Sequence, residues 1–410
     1  MISEKIGPDR PDISLDEDDI KESYEYLLNC GHDSLDEFID REDVLFIVND
    51  FKRATPTPLF LRTIEGYLKK KGIDLFDRDI QVMVATGTHD PPSEEGLGNI
   101  LGEFYHRLKG KTIVHDSKTH EHVDLGTTER GTPIKINKNI LGHDRIIAIN
   151  SMEPHYFAGF TGGRKSLVPG ICHWDTVEAN HKFSLDKKAL PLSLKENPVN
   201  QDLVEGTEMI LDHLESELIA VNSVTTEGEV YGVSSGDIFE TFDSLIEISR
   251  DVFTSQVSGK ADIVIARTGE PATKNLYQSV KSFENCKRMC KKGGVFILVS
   301  ECCEGIGPST FYNVLCSSNR PEDIRKKVHE DYPLGSETAV NILDFLEEHS
   351  LFIVSGLDDE KVKNCFSEPF DDIEEALRSA LEKVGKDARV LEVEEANNVV
   401  PVVNKDEKDF

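Results

Sequence analysis

Several features that would classify this chain at once are missing from it. No apolar run approaches the roughly 18–20 residues of a membrane span. The first 21 residues are acidic and hold no hydrophobic stretch, so neither a spanning helix nor a secretory signal is expected, and the cytoplasm is the expected location. Positive charge is scarce: 46 Lys and Arg stand against 76 Asp and Glu, a formal net charge of −30. Nucleic acid needs the opposite field, which excludes it as a partner. An anionic substrate would be repelled at long range, so any carboxylate or phosphate site must carry its own cations, with Arg53, Arg164, Lys165 and Lys281 as candidates. Eight cysteines occur without a Cys-x-x-Cys pair; Cys286 and Cys290 are four apart, Cys302 and Cys303 adjacent, and no histidine stands near them at ligand spacing. That argues against structural zinc and for reduced, mostly buried thiols. No Gly-x-Gly-x-x-Gly follows an apolar run, which removes the dinucleotide-binding fingerprint, and no internal repeat is visible.

What is present reads as a globular α/β chain. At 410 residues and 38% hydrophobic content, two domains are expected. Short apolar runs alternate with longer amphipathic segments, the pattern of strands joined by crossover helices in a largely parallel sheet. Strands are predicted at 44–48, 81–85, 112–114, 145–149 and 217–221, then at 261–266, 295–299, 351–354 and 389–393. Helices are predicted at 58–71, 93–108, 200–215, 238–252, 275–291, 337–347 and 372–384. The break falls near Ser255-Gln256-Val257-Ser258-Gly259-Lys260, giving a first domain at 1–255, a second at 256–400, and a tail at 401–410 expected to be disordered or to fold back on the first domain.

The richest stretch is Glu153-Pro154-His155-Tyr156-Phe157-Ala158-Gly159-Phe160-Thr161-Gly162-Gly163-Arg164-Lys165-Ser166, directly after an apolar run. Glycines after a strand let backbone N–H groups approach an anion, and a lysine adds a charge or an amine nucleophile. A nucleoside-triphosphate loop fails on spacing, because Arg164 stands where its second glycine belongs. Asp50 and Arg53 follow the first predicted strand, His89 the second and His155 the fourth, and ligands of open parallel sheets bind at such carboxyl ends. Taken alone, each residue has a plainer use: Asp50 and Arg53 as caps of the next helix, His89 as a turn partner, Lys165 as an exposed loop lysine, His181 as a solvated helix residue. His120 and His122 form a close pair in a polar loop to which no role attaches.

This stretch to Gly170, with Glu178-Ala179-Asn180-His181 beyond it, resembles the signature of the nickel-dependent lactate racemase family. Four further blocks are similar to that family's motifs, in the same order: Asp50-Phe51-Lys52-Arg53, Thr86-Gly87-Thr88-His89, Asp124-Leu125-Gly126-Thr127-Thr128-Glu129-Arg130-Gly131-Thr132-Pro133, and Tyr277-Gln278-Ser279-Val280-Lys281. The resemblance implies two domains, each with a largely parallel sheet flanked by helices, and an active site in the interdomain cleft. It implies a nickel-pincer nucleotide, pyridinium-3-thioamide-5-thiocarboxylic acid mononucleotide with nickel, made by separate biosynthesis enzymes. Lys165 would be its covalent anchor, Asp50, Arg53, Gly162 and Gly163 would be further cofactor-binding positions, and His181 would be the nickel ligand. His89 and His155 would be the two acid/bases, and Arg53, Tyr277, Gln278 and Lys281 would hold a small 2-hydroxy acid.

The expected reaction is inversion at C2 by proton-coupled hydride transfer, which needs one base for each enantiomer with a pKa near neutral. An epimerase of a longer sugar-derived acid and a non-catalytic nucleotide-binding homologue are the alternatives. Two departures stand out: Asp90 follows His89 where the family commonly has arginine, and the sole tryptophan is Trp174, so a late tryptophan found in some relatives is absent.

Overall fold

The computed structural model describes residues 2–39 and 43–403. The chain folds as two compact units. One comprises Pro11–Asn180 and Leu194–Val252; the other gathers the residues up to Arg10, the segment His181–Ser193 and the chain from Phe253 onward.

The first unit is built on a six-stranded sheet in the order Glu229–Gly236, Glu217–Thr226, Arg145–Ser151, Asp43–Asn49, Asp79–Ala85, Thr112–Val114. All neighbours are parallel except the edge strand Glu229–Gly236, which returns antiparallel through a turn with Glu227 and Gly228 both at positive φ. Two successive positive φ values define the hairpin turn whose twist matches its strands. The central strands are apolar nearly throughout because helices cover both faces, as parallel sheets require. Helix Thr57–Lys70 shows how: Pro58 opens it, Lys69 and Lys70 meet the negative end of its dipole, and Phe60, Leu61, Ile64 and Leu68 form the stripe buried on the sheet.

The second unit holds six parallel strands in the order Glu4–Ile6, Val390–Val393, Ala261–Arg267, Cys290–Val299, Ser350–Val354, Glu368–Phe370. Its core packs Val264, Phe296 and Leu351 of the sheet against Phe283, Leu343 and Phe345 of two helices.

Each predicted strand is present within a few residues of its expected bounds; most differences lie at helix ends. The helix expected over 93–108 breaks into Glu94–Leu101 and Tyr105–Leu108 at Gly102, whose φ is +53°. A Cβ there would sit 2.7 Å from Pro58, so the chain turns where only glycine fits. The helix expected over 275–291 ends at Cys286, and Cys290 already belongs to the next strand. Near the expected tail, Val400–Val402 forms a short parallel ladder with Thr254–Gln256; positions 404–410 lie outside the described residues.

Candidate functional site

In the first unit the chain runs from the central strand Asp43–Asn49 outward to Asp79–Ala85 and Thr112–Val114, then returns to Arg145–Ser151 on the opposite side. The order therefore reverses between Asn49 and Ser151, and a crevice opens at the carboxyl ends of strands at such a point. Thr55 stitches the two strand ends, donating to Asn49 Oδ1 at 2.7 Å and lying 2.7 Å from Ser151 Oγ. Asp50, Arg53, Glu153 and His155 all follow directly from these two strands.

Asp50 is buried at 3% exposure and does not cap the next helix, which starts at Thr57. Its Oδ2 accepts from His89 Nδ1 at 2.6 Å and its Oδ1 from the Lys52 amide at 3.2 Å. Burial pushes this carboxyl up, but the His89 bond and the nearby positive charges outweigh it, and the acid stays below its ordinary range. An ionised Asp50 makes His89 Nδ1 the protonated nitrogen, so Nε2 carries the lone pair. His89 retains 37% of its side-chain surface. Burial holds its imidazolium below the ordinary value, with Asp50 opposing. The result is a neutral, oriented imidazole with an open basic nitrogen.

His155 is held the other way round. It lies in a two-residue ladder, Pro154–His155 against Gly159–Phe160, and the tight loop between them turns the Ala158 amide onto its Nδ1 at 3.3 Å. An Nδ1 that accepts leaves the proton on Nε2. As neutral rings the two histidines thus carry their protons on opposite nitrogens, Nδ1 in His89 and Nε2 in His155. Tyr156 stacks on the His155 ring at 5.0 Å and Phe157 meets it edge-on at 4.5 Å.

Lys165 is part-buried, not an exposed loop lysine, and its Nζ lies 5.8 Å from the centre of the Phe157 ring. Burial, then the charges of Arg53 and Arg164, push its ammonium well below the usual lysine range, with Glu153 opposing. The shift favours the neutral amine, the form that acts as a nucleophile. Arg53 donates from Nη1 to Glu153 Oε1 at 2.8 Å, and the rest of its fork can still meet an anion. Glu153 and Arg53 stand 100 residues apart, so no spacing pointed to this pair.

Gly162 and Gly163 both have positive φ, and a Cβ on Gly163 would meet Ile238 O at 3.1 Å. The Gly163 amide is donated to Asn222 Oδ1 at 2.9 Å, so it does not face an anion. Arg164, 1% exposed, stacks over Phe242 at 4.0 Å and donates from Nε to Asn200 Oδ1 at 2.9 Å. Burial pushes its guanidinium down to about 9, and Nη1 has no hydrogen-bond partner among the described residues. Asn200 and Glu153 are the site residues that the sequence reading passed over.

In the second unit, Asn275 caps helix Leu276–Cys286 through the Gln278 amide at 3.0 Å. On that helix Lys281 lies four residues after Tyr277 and three after Gln278, so it neighbours each of them one turn on. Tyr277 rests over Gly307, whose φ is +103° and where a Cβ would stand 2.7 Å from the tyrosine Cβ. Burial, then the charge of Glu337, raise the Tyr277 hydroxyl, which therefore stays a neutral donor. His181 is the last residue of helix Trp174–His181 and opens the segment that packs with this unit.

Among the described residues, no three His, Cys, Asp or Glu side chains gather to hold a metal. Among the same residues no helix is long and apolar enough to cross a membrane.

Residues 10–191 match the model of the lactate racemase N-terminal domain, and residues 257–401 that of the lactate racemase C-terminal domain. Lactate racemase of Thermoanaerobacterium thermosaccharolyticum is 28% identical over 98% of this chain and 92% of its own length. Lactate racemase of Lactiplantibacillus plantarum is 28% identical over 90% of this chain and 88% of its own. The solved lactate racemase apoprotein from T. thermosaccharolyticum superposes with a TM-score of 0.87 at 26% identity, covering 98% of this chain and 95% of that one. A Thermotoga maritima protein shares the fold at 17% identity, with a TM-score of 0.71.

Proposed function

Because the chain belongs to the lactate racemase family and is an isomerase of that family, we propose that it inverts C2 of a small 2-hydroxy acid, lactate or a close relative, with a lysine-tethered nickel-pincer nucleotide. The observation that carries this reading is the placement of the Asp50–His89 pair and of His155 after parallel strands, in one unit with Lys165, whose burial pushes its ammonium well below the usual range. Inversion needs a group that takes the hydroxyl proton on one side of the substrate and one that gives it back on the other. A histidine takes a proton as neutral imidazole and gives one as imidazolium, so each turnover needs one of the pair neutral and the other protonated.

The residues fit the cofactor. A thioamide to Lys165 forms only from the free amine, which is the form that burial and two neighbouring cations favour. The partnerless Nη1 of Arg164, on the adjacent residue, is a donor for a group that arrives with the nucleotide. His181 would be the protein's ligand to nickel, an imidazole beside soft donors. When bound, the nucleotide supplies an electron-poor ring that accepts the C2 hydrogen with its electron pair.

The protein's own part is proton handling and grip. His89 Nε2 takes the hydroxyl proton of one enantiomer while Asp50 steadies the imidazolium that forms. His155, entering as imidazolium, returns a proton to the keto oxygen for the other, and for the reverse reaction the two exchange protonation states. Arg53 and Lys281 supply the positive charge that a carboxylate needs in a chain of net charge −30, Gln278 donates to the carboxylate or hydroxyl, and Tyr277 adds a neutral hydroxyl.

The experiment is nickel content with intact mass, on protein produced alongside the cofactor-making enzymes. The expected result is one nickel per chain and a mass adduct on Lys165. Lys165→Ala loses the adduct, whereas His89→Ala keeps it but loses turnover. Activity surviving in Lys165→Ala, or wild-type protein with neither nickel nor adduct, would overturn the reading.

A further inference from the structure

The block from Asp124 to Pro133 resembles a family motif, yet none of its residues enters the chemistry above. The structure shows where it goes. Thr128 and Thr132 close a tight turn, with the Thr128 amide on Thr132 O at 3.0 Å and the Thr132 amide on Thr128 Oγ1 at 3.1 Å. Both hydroxyls then donate to Asp202, Thr128 to Oδ1 at 2.6 Å and Thr132 to Oδ2 at 2.8 Å. The same Oδ2 accepts from Asn180 Nδ2 at 2.8 Å. Asp202, Thr132 and Asn180 are at 0% exposure and Thr128 at 4%.

Asn180 directly precedes His181 at the end of helix Trp174–His181. That helix is short, with eight residues, and would fray alone. Its start is held by the strand Pro133–Asn137: Thr176 Oγ1 donates to Pro133 O at 2.5 Å and accepts from the Lys135 amide at 3.1 Å. Its end is held by Asp202, whose own helix, Pro198–His213, is clipped to the Thr128–Thr132 turn a second time by Glu205, which accepts from the Glu129 amide at 2.6 Å. A buried carboxylate with three donors is a rigid node, because each donor would be left unsatisfied if it moved away.

We propose that Asp202 is the positioning residue for the metal ligand His181, fixing the last turn of its helix through Asn180 and being itself fixed by Thr128 and Thr132. The inference rests on the reading of His181 as the nickel ligand. It assigns the Thr128–Thr132 block, together with Asn180, to one job: holding a ligand's backbone still while the imidazole meets the metal.

The test compares wild-type protein, Asp202→Ala, Asp202→Asn, Asn180→Asp and the double swap Asn180→Asp with Asp202→Asn, all produced with the cofactor-making enzymes. The swap reverses the donor and acceptor but keeps the bond, so it separates pairing from simple loss of stability. Three quantities are read: the Lys165 adduct by mass, the rate of nickel loss to a chelator, and amide exchange of residues 178–182. Each single variant is expected to keep the adduct, lose nickel about 10-fold faster or more, and exchange faster at 178–182. The swap should restore most of both. Single variants that hold nickel and amides as wild type does, with the adduct intact, would sink the proposal alone. So would a swap no better than its parents. Wild-type protein with neither nickel nor adduct would sink the functional reading, and this proposal with it.

Discussion

Asp50 Oδ2 lies 2.6 Å from His89 Nδ1, a buried carboxylate fixing the tautomer of a histidine 39 residues further along the chain. In the proposed function the acid/base chemistry turns on that contact, because it decides which imidazole nitrogen carries the lone pair. Asp50→Asn keeps the shape but can leave the wrong nitrogen protonated. We expect kcat to fall by roughly 10²–10⁴-fold with KM changed little. The Asp50 bond and charge raise His89 against burial, so the acidic limb of kcat/KM, which starts below 6.5 in the wild type, should move further toward acid in the variant. A limb that moves upward would contradict the assignment.

His115 offers a stability test away from the chemistry. It is 1% exposed, its Nε2 donates to Cys172 O at 3.0 Å, and Asn137 Nδ2 lies 2.9 Å from its Nδ1. Burial pushes its imidazolium down to about 4, with His122 and His120 adding repulsion and Asp116 opposing. A depressed value means that the unfolded chain binds the proton first. The stabilisation is therefore complete above 6.5 and is lost as pH falls toward 4. From that interval the loss is about 3 kcal/mol. Urea unfolding across this range should show a clearly flatter pH dependence for His115→Asn than for the wild type.

Glu153 competes with any incoming anion for Arg53. The pair is only partly buried, at 21% side-chain exposure for Arg53 and 30% for Glu153, so Glu153→Gln should change stability by no more than about 1 kcal/mol. With its partner neutral, Arg53 is more available to a carboxylate or phosphate, and KM for the hydroxy acid should fall or the nucleotide should be held more tightly. A raised KM with weaker nucleotide retention would show that Glu153 holds Arg53 in place rather than competing for it.

Gly307→Ala probes the proposed substrate contact at Tyr277. Its φ of +103° is unfavourable for alanine, and the new Cβ would stand 2.7 Å from Tyr277 Cβ and 2.9 Å from Asn275 Oδ1. The variant should lose about 1–3 kcal/mol of stability, read in the melting temperature. It should also raise KM by displacing Tyr277 and the helix cap behind Gln278. An unchanged KM would remove Tyr277 from the substrate contacts.

By itself the sequence determined the class and order of the elements, since the period of apolar residues is a local property that survives in the linear chain. It placed the strands, and with them the rule that chemistry belongs at their carboxyl ends. The motif blocks selected His89, His155, Lys165 and His181. It did not show that Lys165 is part-buried among cations, that Gly163 spends its amide on Asn222, or that the stretch from His181 to Ser193 packs with the second unit. Nor did it join Asp50 to His89, Arg53 to Glu153, or Thr128 to Asp202, pairs separated by 39, 100 and 74 residues. These were decided by the tertiary structure alone. Hydrogen bonds and charge interactions depend on distances of a few ångströms in space, and once the strand order reverses at the sheet centre, separation along the chain no longer measures them.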